Sequence, residues 1–366
     1  MRRLALALAL LACEPDPAFE WPLAQALPVP LTPDDNPMSD ARVELGRHLF
    51  HDTRLSGNQT QSCATCHLQA FAFTDGRRVA EGSTGESTPR NAMSLANVAY
   101  QTTLTWANPL LLDLEAQMLV PLFGAEPVEL GLRGLEDELI RRLDAVPRYH
   151  ELFAAAFPDD PDPLTLHNLT RALACFERRL LSGDAPYDRY LAGDRAAISE
   201  SARRGAALFN GEKLECFHCH AGFNFQDSVA YVGKPPRAGL YHNTGLYNLD
   251  GEGAYPPGNT GLHEFTGVAA DMGRFRVPTL RNIAVTAPYM HDGSIPTLGE
   301  VIDHYAAGGR TISEGPHQGV GRDNPFKSSF IRGFAISEQE RSDLLAFLNS
   351  LTDEQFLTDP ALADPW

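Results

Sequence analysis

The sequence has few cysteines, few tryptophans and a shortage of cations. Six cysteines in 366 residues are too few for a disulfide scaffold, and a chain of this length with 43% hydrophobic residues can bury a core without one. The 30 Lys and Arg residues against 47 Asp and Glu leave a net charge of −17, which argues against nucleic-acid binding because phosphates need a basic face. After the N-terminus, no apolar run approaches the roughly 18 residues of a membrane-spanning helix.

The residues at the N-terminus follow the pattern of an export signal. Met1–Arg3 is basic, Leu4–Ala12 is apolar and uncharged, and Cys13 follows a small residue. This order is typical of secretory signals, and residues 10–13 resemble a bacterial lipobox, whose cysteine carries a lipid. We therefore predict export, to the periplasm or beyond it. Two alternatives stay open, a lipid anchor at Cys13 and a start codon placed too early.

An internal repeat carries most of the cysteines. Residues 46–67 and 205–220 each begin with a glycine, continue with Leu-Phe three and four positions later, and end in Cys-x-x-Cys-His. The two copies lie about one domain apart, so we predict two related domains rather than a solenoid.

Cys-x-x-Cys-His is the attachment signature of c-type haem. Two thiols add to the two vinyl groups of the porphyrin, and the following histidine becomes the proximal ligand of the iron. A zinc ribbon would need its two Cys pairs roughly 15–20 residues apart, far closer than here, and a disulfide within each pair would not explain the histidines. The predicted haem residues are Cys63, Cys66 and His67 at the first site and Cys216, Cys219 and His220 at the second.

The rest of the sequence favours helices over strands. We predict a mainly α fold in which two cytochrome c-like haem domains pack around an inter-haem interface, with long loops and little strand. Cys175 sits among apolar residues at helical spacing and is interpreted as a buried free thiol. The predicted helices are 135–143, 164–181 and 337–351, and the predicted long loops are 250–267 and 308–325. The predicted segments are a signal at 1–13, an extension at 14–37, haem domains at 38–190 and 191–352, and a tail at 353–366.

Four motifs extend the comparison beyond the haem signatures. They resemble the di-haem bacterial cytochrome c peroxidase and MauG superfamily over residues 38–351, and the segment 334–360 resembles the MbnH-like di-haem enzymes of methanobactin operons. The motifs are Leu45-Gly46-x-x-Leu49-Phe50-x-Asp52-x-x-Leu55-Ser56, Pro89-Arg90-Asn91, Val277–Asn282 and Ala287–Ser294.

The resemblance implies different sixth ligands at the two haems. In classical peroxidases a histidine sixteen positions after the proximal one caps the peroxide-reactive haem, but here that position is Ser83. The first haem is then expected to be open, unless another residue caps it. The second haem's distal ligand is expected at Tyr305, as in MauG-like enzymes, with Met290 and His304 as rivals.

The resemblance also implies roles for other residues. Trp106 matches the tryptophan that relays electrons between the haems, with a core aromatic as the alternative. The distal catalytic groups are expected to be Gln117, Glu129 and His291, with Glu126 as a rival of Glu129. A calcium ion between the haems is expected at Asn91, Thr286 and Pro288; amide and carbonyl oxygens suit this hard cation.

Three functions follow from these expectations. The first is an enzyme that uses hydrogen peroxide to form high-valent iron and oxidises a partner protein by long-range electron transfer. By resemblance, that partner is a periplasmic copper-binding protein oxidised at tryptophan. The second is a classical peroxidase that takes electrons from a small cytochrome c. The third is a non-catalytic electron carrier with both irons saturated.

Overall fold

The computed structural model describes residues 19–24, 27–237 and 239–366. The predicted export signal and Cys13 therefore lie outside the described residues. In the described part, none of the helices combines the length and the apolar composition needed to cross a membrane.

The described chain is mainly helical with very little strand, which confirms the predicted fold class. Two antiparallel strand pairs of two residues each join β1 (Tyr241–His242) to β2 (Phe275–Arg276) and β3 (Thr311–Ile312) to β4 (Gly319–Val320). The helices are α1 (Asp40–His51), α2 (Cys63–Cys66), α3 (Leu114–Gln117), α4 (Leu119–Phe123), α5 (Glu136–Asp144), α6 (Pro147–Ala156), α7 (Leu166–Arg178), α8 (Pro186–Leu191), α9 (Glu200–Phe209), α10 (His263–Thr266), α11 (Leu298–Ala306), α12 (Glu338–Asn349) and α13 (Glu354–Thr358).

The repeated glycine marks the same helix crossing in both halves. A Cβ on Gly46 of α1 would lie 2.0 Å from the carbonyl oxygen of Ala172 in α7, and one on Gly205 of α9 would lie 1.9 Å from that of Asp343 in α12. Both distances are far below contact distance, so only glycine lets these backbones approach so closely. Each Leu-Phe pair then lies one turn further along the same helix, before its haem motif.

The three predicted helices are confirmed as α5, α7 and α12. Thr165 caps α7 by accepting a hydrogen bond from the backbone N–H of Asn168, and Ser337 and Glu340 form a capping box at the start of α12. Cys175 is fully buried with a free thiol, as expected. The predicted loop at 308–325 is only partly correct, because it contains the β3–β4 hairpin. Strands of two residues are too short to leave an alternating pattern in the sequence.

Two apolar cores underlie the two haem motifs. The first gathers around α1, α6 and α7, and the second around α9, α11 and α12. The C-terminal residues Phe356, Leu357 and Leu362 belong to the first core, so the end of the chain returns to the N-terminal half. Asp353, just before them, accepts hydrogen bonds from the Ser182 hydroxyl and from the backbone N–H of Gly183, which ties this return to the junction between the halves.

Candidate haem sites

The first haem motif lines a cavity of about 270 Å³, called here the first cavity. Cys63 and Cys66 begin and end the single turn of α2, and His67 follows it. The His67 ring donates from Nδ1 to the carbonyl oxygen of Phe73 at 2.7 Å, and burial lowers the pKa of this histidine. A neutral imidazole held in this way has Nε2 as the nitrogen left for a metal.

The second motif repeats this arrangement in a cavity of about 220 Å³, the second cavity. Cys216 opens a short 3₁₀ turn, Cys219 follows it, and both line the cavity together with His220. His220 donates from Nδ1 to the carbonyl oxygen of Phe225 at 2.9 Å, and burial again lowers its pKa. The two halves therefore hold their histidines by the same backbone contact.

The cysteines of both motifs are free thiols in the structure. Burial raises the pKa of Cys66 to about 11 and that of Cys216 to about 12, so these side chains are neutral rather than thiolate. Two thiols, one oriented histidine and an enclosing cavity fit a covalently bound haem at each site.

Two of the predicted distal groups lie together in the wall of the first cavity. They are Gln117, the last residue of α3, and Glu129, whose pKa burial raises. The rival Glu126 is exposed and is not part of this wall. The structure thus brings together an amide that can orient a ligand and a carboxyl group that can exchange a proton with it.

His291 is not brought together with these two groups. It lies in the wall of the second cavity, where its ring stacks on Phe275 with centroids 3.6 Å apart. Burial lowers the pKa of His291 to about 3, and its buried Nε2 has no hydrogen-bond partner. Its ring also meets the indole of Trp106 edge to face at 6.5 Å. This histidine is therefore placed toward the second site and the tryptophan.

Ser83 stands where the histidine of classical peroxidases would be, and its backbone is used structurally. Its N–H donates to the carbonyl oxygen of Glu129 at 2.7 Å, and a Cβ on the preceding Gly82 would lie 1.9 Å from the carbonyl oxygen of Val128. The two loops cross too closely for a larger residue at position 82. Among the described residues that line the first cavity, His67 is the sole histidine.

Of the three candidate ligands for the second iron, two line the second cavity. Tyr305, on α11, and Met290, which has a left-handed φ of 71°, both do so. Burial raises the pKa of Tyr305, and the nearby thiols of Cys219 and Cys216 raise it further. His304 is buried but absent from the wall. Helix α11 thus points consecutive side chains in different directions, and Tyr305 is the one directed at the cavity.

Trp106 and Arg276 are the two residues found in the walls of both cavities. The Trp106 indole donates to the carbonyl oxygen of Asn91 at 2.8 Å, which fixes the ring between the sites. The backbone N–H of Arg276 donates to the carbonyl oxygen of Trp106 at 2.9 Å. An indole shared by two haem cavities has the placement that an electron relay needs.

One of the expected calcium residues, Asn91, is tied by its backbone to the segment that contains the other two. The N–H of Asn91 donates to the carbonyl oxygen of His291 at 2.8 Å, which brings Asn91 close to the segment that contains Thr286 and Pro288. The Asn91 side chain donates from Nδ2 to the carbonyl oxygen of Arg77 at 2.7 Å, so its Oδ1 is the oxygen available to a cation.

Sequence reasoning missed two charged residues of the first cavity, Arg276 and Glu177. Burial raises the pKa of Glu177 to about 8. In the sequence, Glu177 could have been recognised as an acidic residue inside the apolar stripe of α7, where burying a carboxylate is unfavourable. Arg276 immediately precedes the Val277–Asn282 motif, and its position beside that motif was the signal to follow.

Comparison with known proteins gives the class of the chain. Residues 40–196 match the family model described as di-haem cytochrome c peroxidase. The chain is 36% identical to the methylamine utilization protein MauG of Methylorubrum extorquens over 88% of this chain and 81% of that protein. It therefore belongs to the di-haem cytochrome c peroxidase and MauG family, as the motifs predicted. Membership implies an oxidoreductase that acts on peroxide and carries two haem c groups, one at each site.

Two further relatives are similar to the chain over nearly its whole length. The chain is 35% identical to the cytochrome-c peroxidase IdrP1 of Denitromonas iodatirespirans, over 99% of this chain and 94% of that one. Its fold matches the crystal structure of a MauG-like protein associated with microbial copper homeostasis, with a TM-score of 0.93 and 50% identity over 95% of this chain and all of that one.

Proposed function

We propose that this peroxidase oxidises a partner protein, with peroxide reduced at the first haem and electrons supplied through the second haem and Trp106. The haem iron supplies the redox chemistry, in which one peroxide takes up two electrons and two protons to form two waters. The electrons come from the partner one at a time. The observation that carries the proposal is the first cavity, whose wall has the orienting amide of Gln117, the acid–base carboxyl group of Glu129 and no histidine besides His67 among its described residues.

The chain's own residues divide the work at the first site. Glu129 takes a proton from one peroxide oxygen and returns it to the other, and burial raises its pKa, which makes it a stronger base than an exposed carboxylate. Gln117 orients the bound peroxide by hydrogen bonds. His67, oriented by its hydrogen bond to Phe73, would hold the iron through Nε2 when haem is bound.

At the second site we assign the distal ligand to Tyr305. A phenolate is a hard anionic ligand and stabilises oxidised iron, whereas the thioether of Met290 would favour the reduced state. An enzyme built this way stores oxidising equivalents and draws electrons from a distant donor. A calcium ion at Asn91, Thr286 and Pro288 would hold the Trp106 region in place between the haems.

The partner is proposed to be an exported copper-binding protein oxidised at a tryptophan. Support comes from the solved relative associated with copper homeostasis. Attachment of haem c and the signal-like residue pattern at the N-terminus both support export to the periplasm.

The decisive experiment adds peroxide to fully ferric holoprotein and follows the haem spectra. We expect an immediate spectral change at both haems without prior reduction, and its decay on adding the partner. The variant Tyr305→Met should lose the change at the second haem and Met290→Leu should keep it. Reactivity that appears only after one-electron reduction would contradict the proposal.

A classical cytochrome c peroxidase is the second candidate, favoured by relatives such as IdrP1 that are named for this activity. Steady turnover of peroxide with a reduced small cytochrome c, at a rate exceeding oxidation of the copper-binding partner, would establish it instead.

A further inference from the structure

Arg276 shares with Trp106 the partition between the two cavities. It lies on β2, is 2% exposed, and is held by two main-chain contacts. Its backbone N–H donates to the carbonyl oxygen of Trp106 at 2.9 Å, and its side-chain Nε donates to that of Thr105, also at 2.9 Å. Arg276 is therefore tied to the main chain that carries Trp106.

Among the described residues, this guanidinium has no carboxylate within ion-pair distance. Burial lowers the pKa of Arg276 to about 10, and Asp227, whose charge offsets part of this lowering, is already paired with His242 at 2.9 Å. Nη2 donates to the sulfur of Met93 at 3.3 Å, and the buried Nη1 has no partner at all. No group of the described residues satisfies this buried donor, so an anion from outside the polypeptide would fit there.

The first cavity has one other cation, and that one is occupied. Arg90 pairs with Glu264 and donates from Nε to Asn259. Both side-chain hydrogen bonds of Arg276 go to residues of this same wall, Thr105 and Met93. The hydrogen-bonded partners of its side chain therefore belong to the first wall, which favours the first site for the remaining donor.

We propose that Arg276 binds a propionate carboxylate of the first haem through Nη1, and so positions that haem against Trp106. The inference rests on the two haem sites and is independent of which partner is oxidised. A guanidinium and a carboxylate form a strong, directional pair, and here both members are shielded from water. The chain from haem to Arg276 to the Trp106 main chain would fix the distance over which electrons pass.

A fixed positive charge beside a haem also favours its reduced form, which carries one electron more. Removing the charge should lower the reduction potential of the first haem and affect the second haem less. It should also raise the pKa of the unpaired, buried propionate, so that the potential of the first haem becomes more dependent on pH. A purely structural arginine would produce neither signature.

The test measures both haem potentials by spectroelectrochemical titration of the holoprotein at several pH values. Arg276→Gln should shift the potential of the first haem to more negative values and add pH dependence, and Arg276→Lys should restore most of both. Arg274→Gln is the matched control, because Arg274 is two residues earlier, partly exposed and directed at Asp271. It should match the wild type.

Haem content and circular dichroism separate the proposal from misfolding. If Arg276→Gln fails to retain two haems per chain, Arg276→Lys decides. Wild-type potentials in both variants, each with two haems retained, would overturn the assignment. Unchanged potentials in a fully loaded Arg276→Gln protein, or a shift confined to the second haem, would also overturn it. These outcomes are distinct from failure of the proposed function, which appears as absence of a peroxide reaction in the ferric wild type.

Discussion

The indole Nε1 of Trp106 donates a hydrogen bond of 2.8 Å to the carbonyl oxygen of Asn91. This contact joins the proposed electron relay to the proposed calcium site, because the Asn91 side chain is an expected calcium ligand. The same residue's N–H bonds to the carbonyl oxygen of His291, which lines the second cavity. Displacing Asn91 would therefore disturb both the Trp106 indole and the wall of the second cavity.

Replacing Trp106 by phenylalanine should slow electron exchange between the haems while leaving both haems attached. Phenylalanine keeps the apolar volume but is much harder to oxidise and loses the bond to Asn91. Stopped-flow spectra after peroxide addition should show the first haem reacting at the wild-type rate and the second lagging at least tenfold. Trp366→Phe is the control, since Trp366 packs beside His48 at the end of the chain. If the second haem of Trp106→Phe reacts as fast as that of the wild type, Trp106 is not the relay.

Removal of calcium should weaken the same step. We expect holoprotein treated with a calcium chelator to lose coupling between the haems, because Asn91 would no longer hold the Trp106 indole in one place. The measurement is elemental analysis for one calcium per chain, followed by the peroxide reaction before and after chelation. Added calcium should restore the reaction and added magnesium should not. Holoprotein that contains no calcium and loses nothing on chelation would contradict the site.

The glycines of the two helix crossings allow a stability test. Gly46→Ala and Gly205→Ala should each lower the free energy of unfolding by about 1–3 kcal/mol, because the added methyl group meets backbone that cannot move away. Helix propensity alone predicts the opposite sign. Urea unfolding of the holoprotein measures the change. Ala207→Gly, on the exposed face of α9, is the control and should cost about 1 kcal/mol from propensity alone. Stabilisation by either glycine substitution would contradict the crossing.

Much of this architecture was predictable because local patterns in the sequence encode it. The two Cys-x-x-Cys-His motifs, the repeated glycine and the amphipathic helices α5 and α7 are examples. Arg276 leaves only its position beside the Val277–Asn282 motif, because its importance arises from lying between two cavities that are formed by residues far apart in the chain. His291 shows the same limit. The motif around it is local, but the cavity it faces depends on how β2 places Phe275 beneath its ring.

Glu129 should control the pH dependence of the peroxide reaction. It must be ionised to accept the first proton, and burial raises its pKa, so the rate should fall with decreasing pH at higher values than an exposed carboxyl group would give. Glu129→Gln should lower the rate by about 10²–10⁴-fold and abolish this dependence, since an amide accepts no proton. Glu126→Gln is the control, because Glu126 is exposed and outside the wall. Stopped-flow rates across the acidic to neutral range decide the matter: if Glu126→Gln causes the larger loss, the acid–base role belongs to Glu126 and the assignment to Glu129 is wrong.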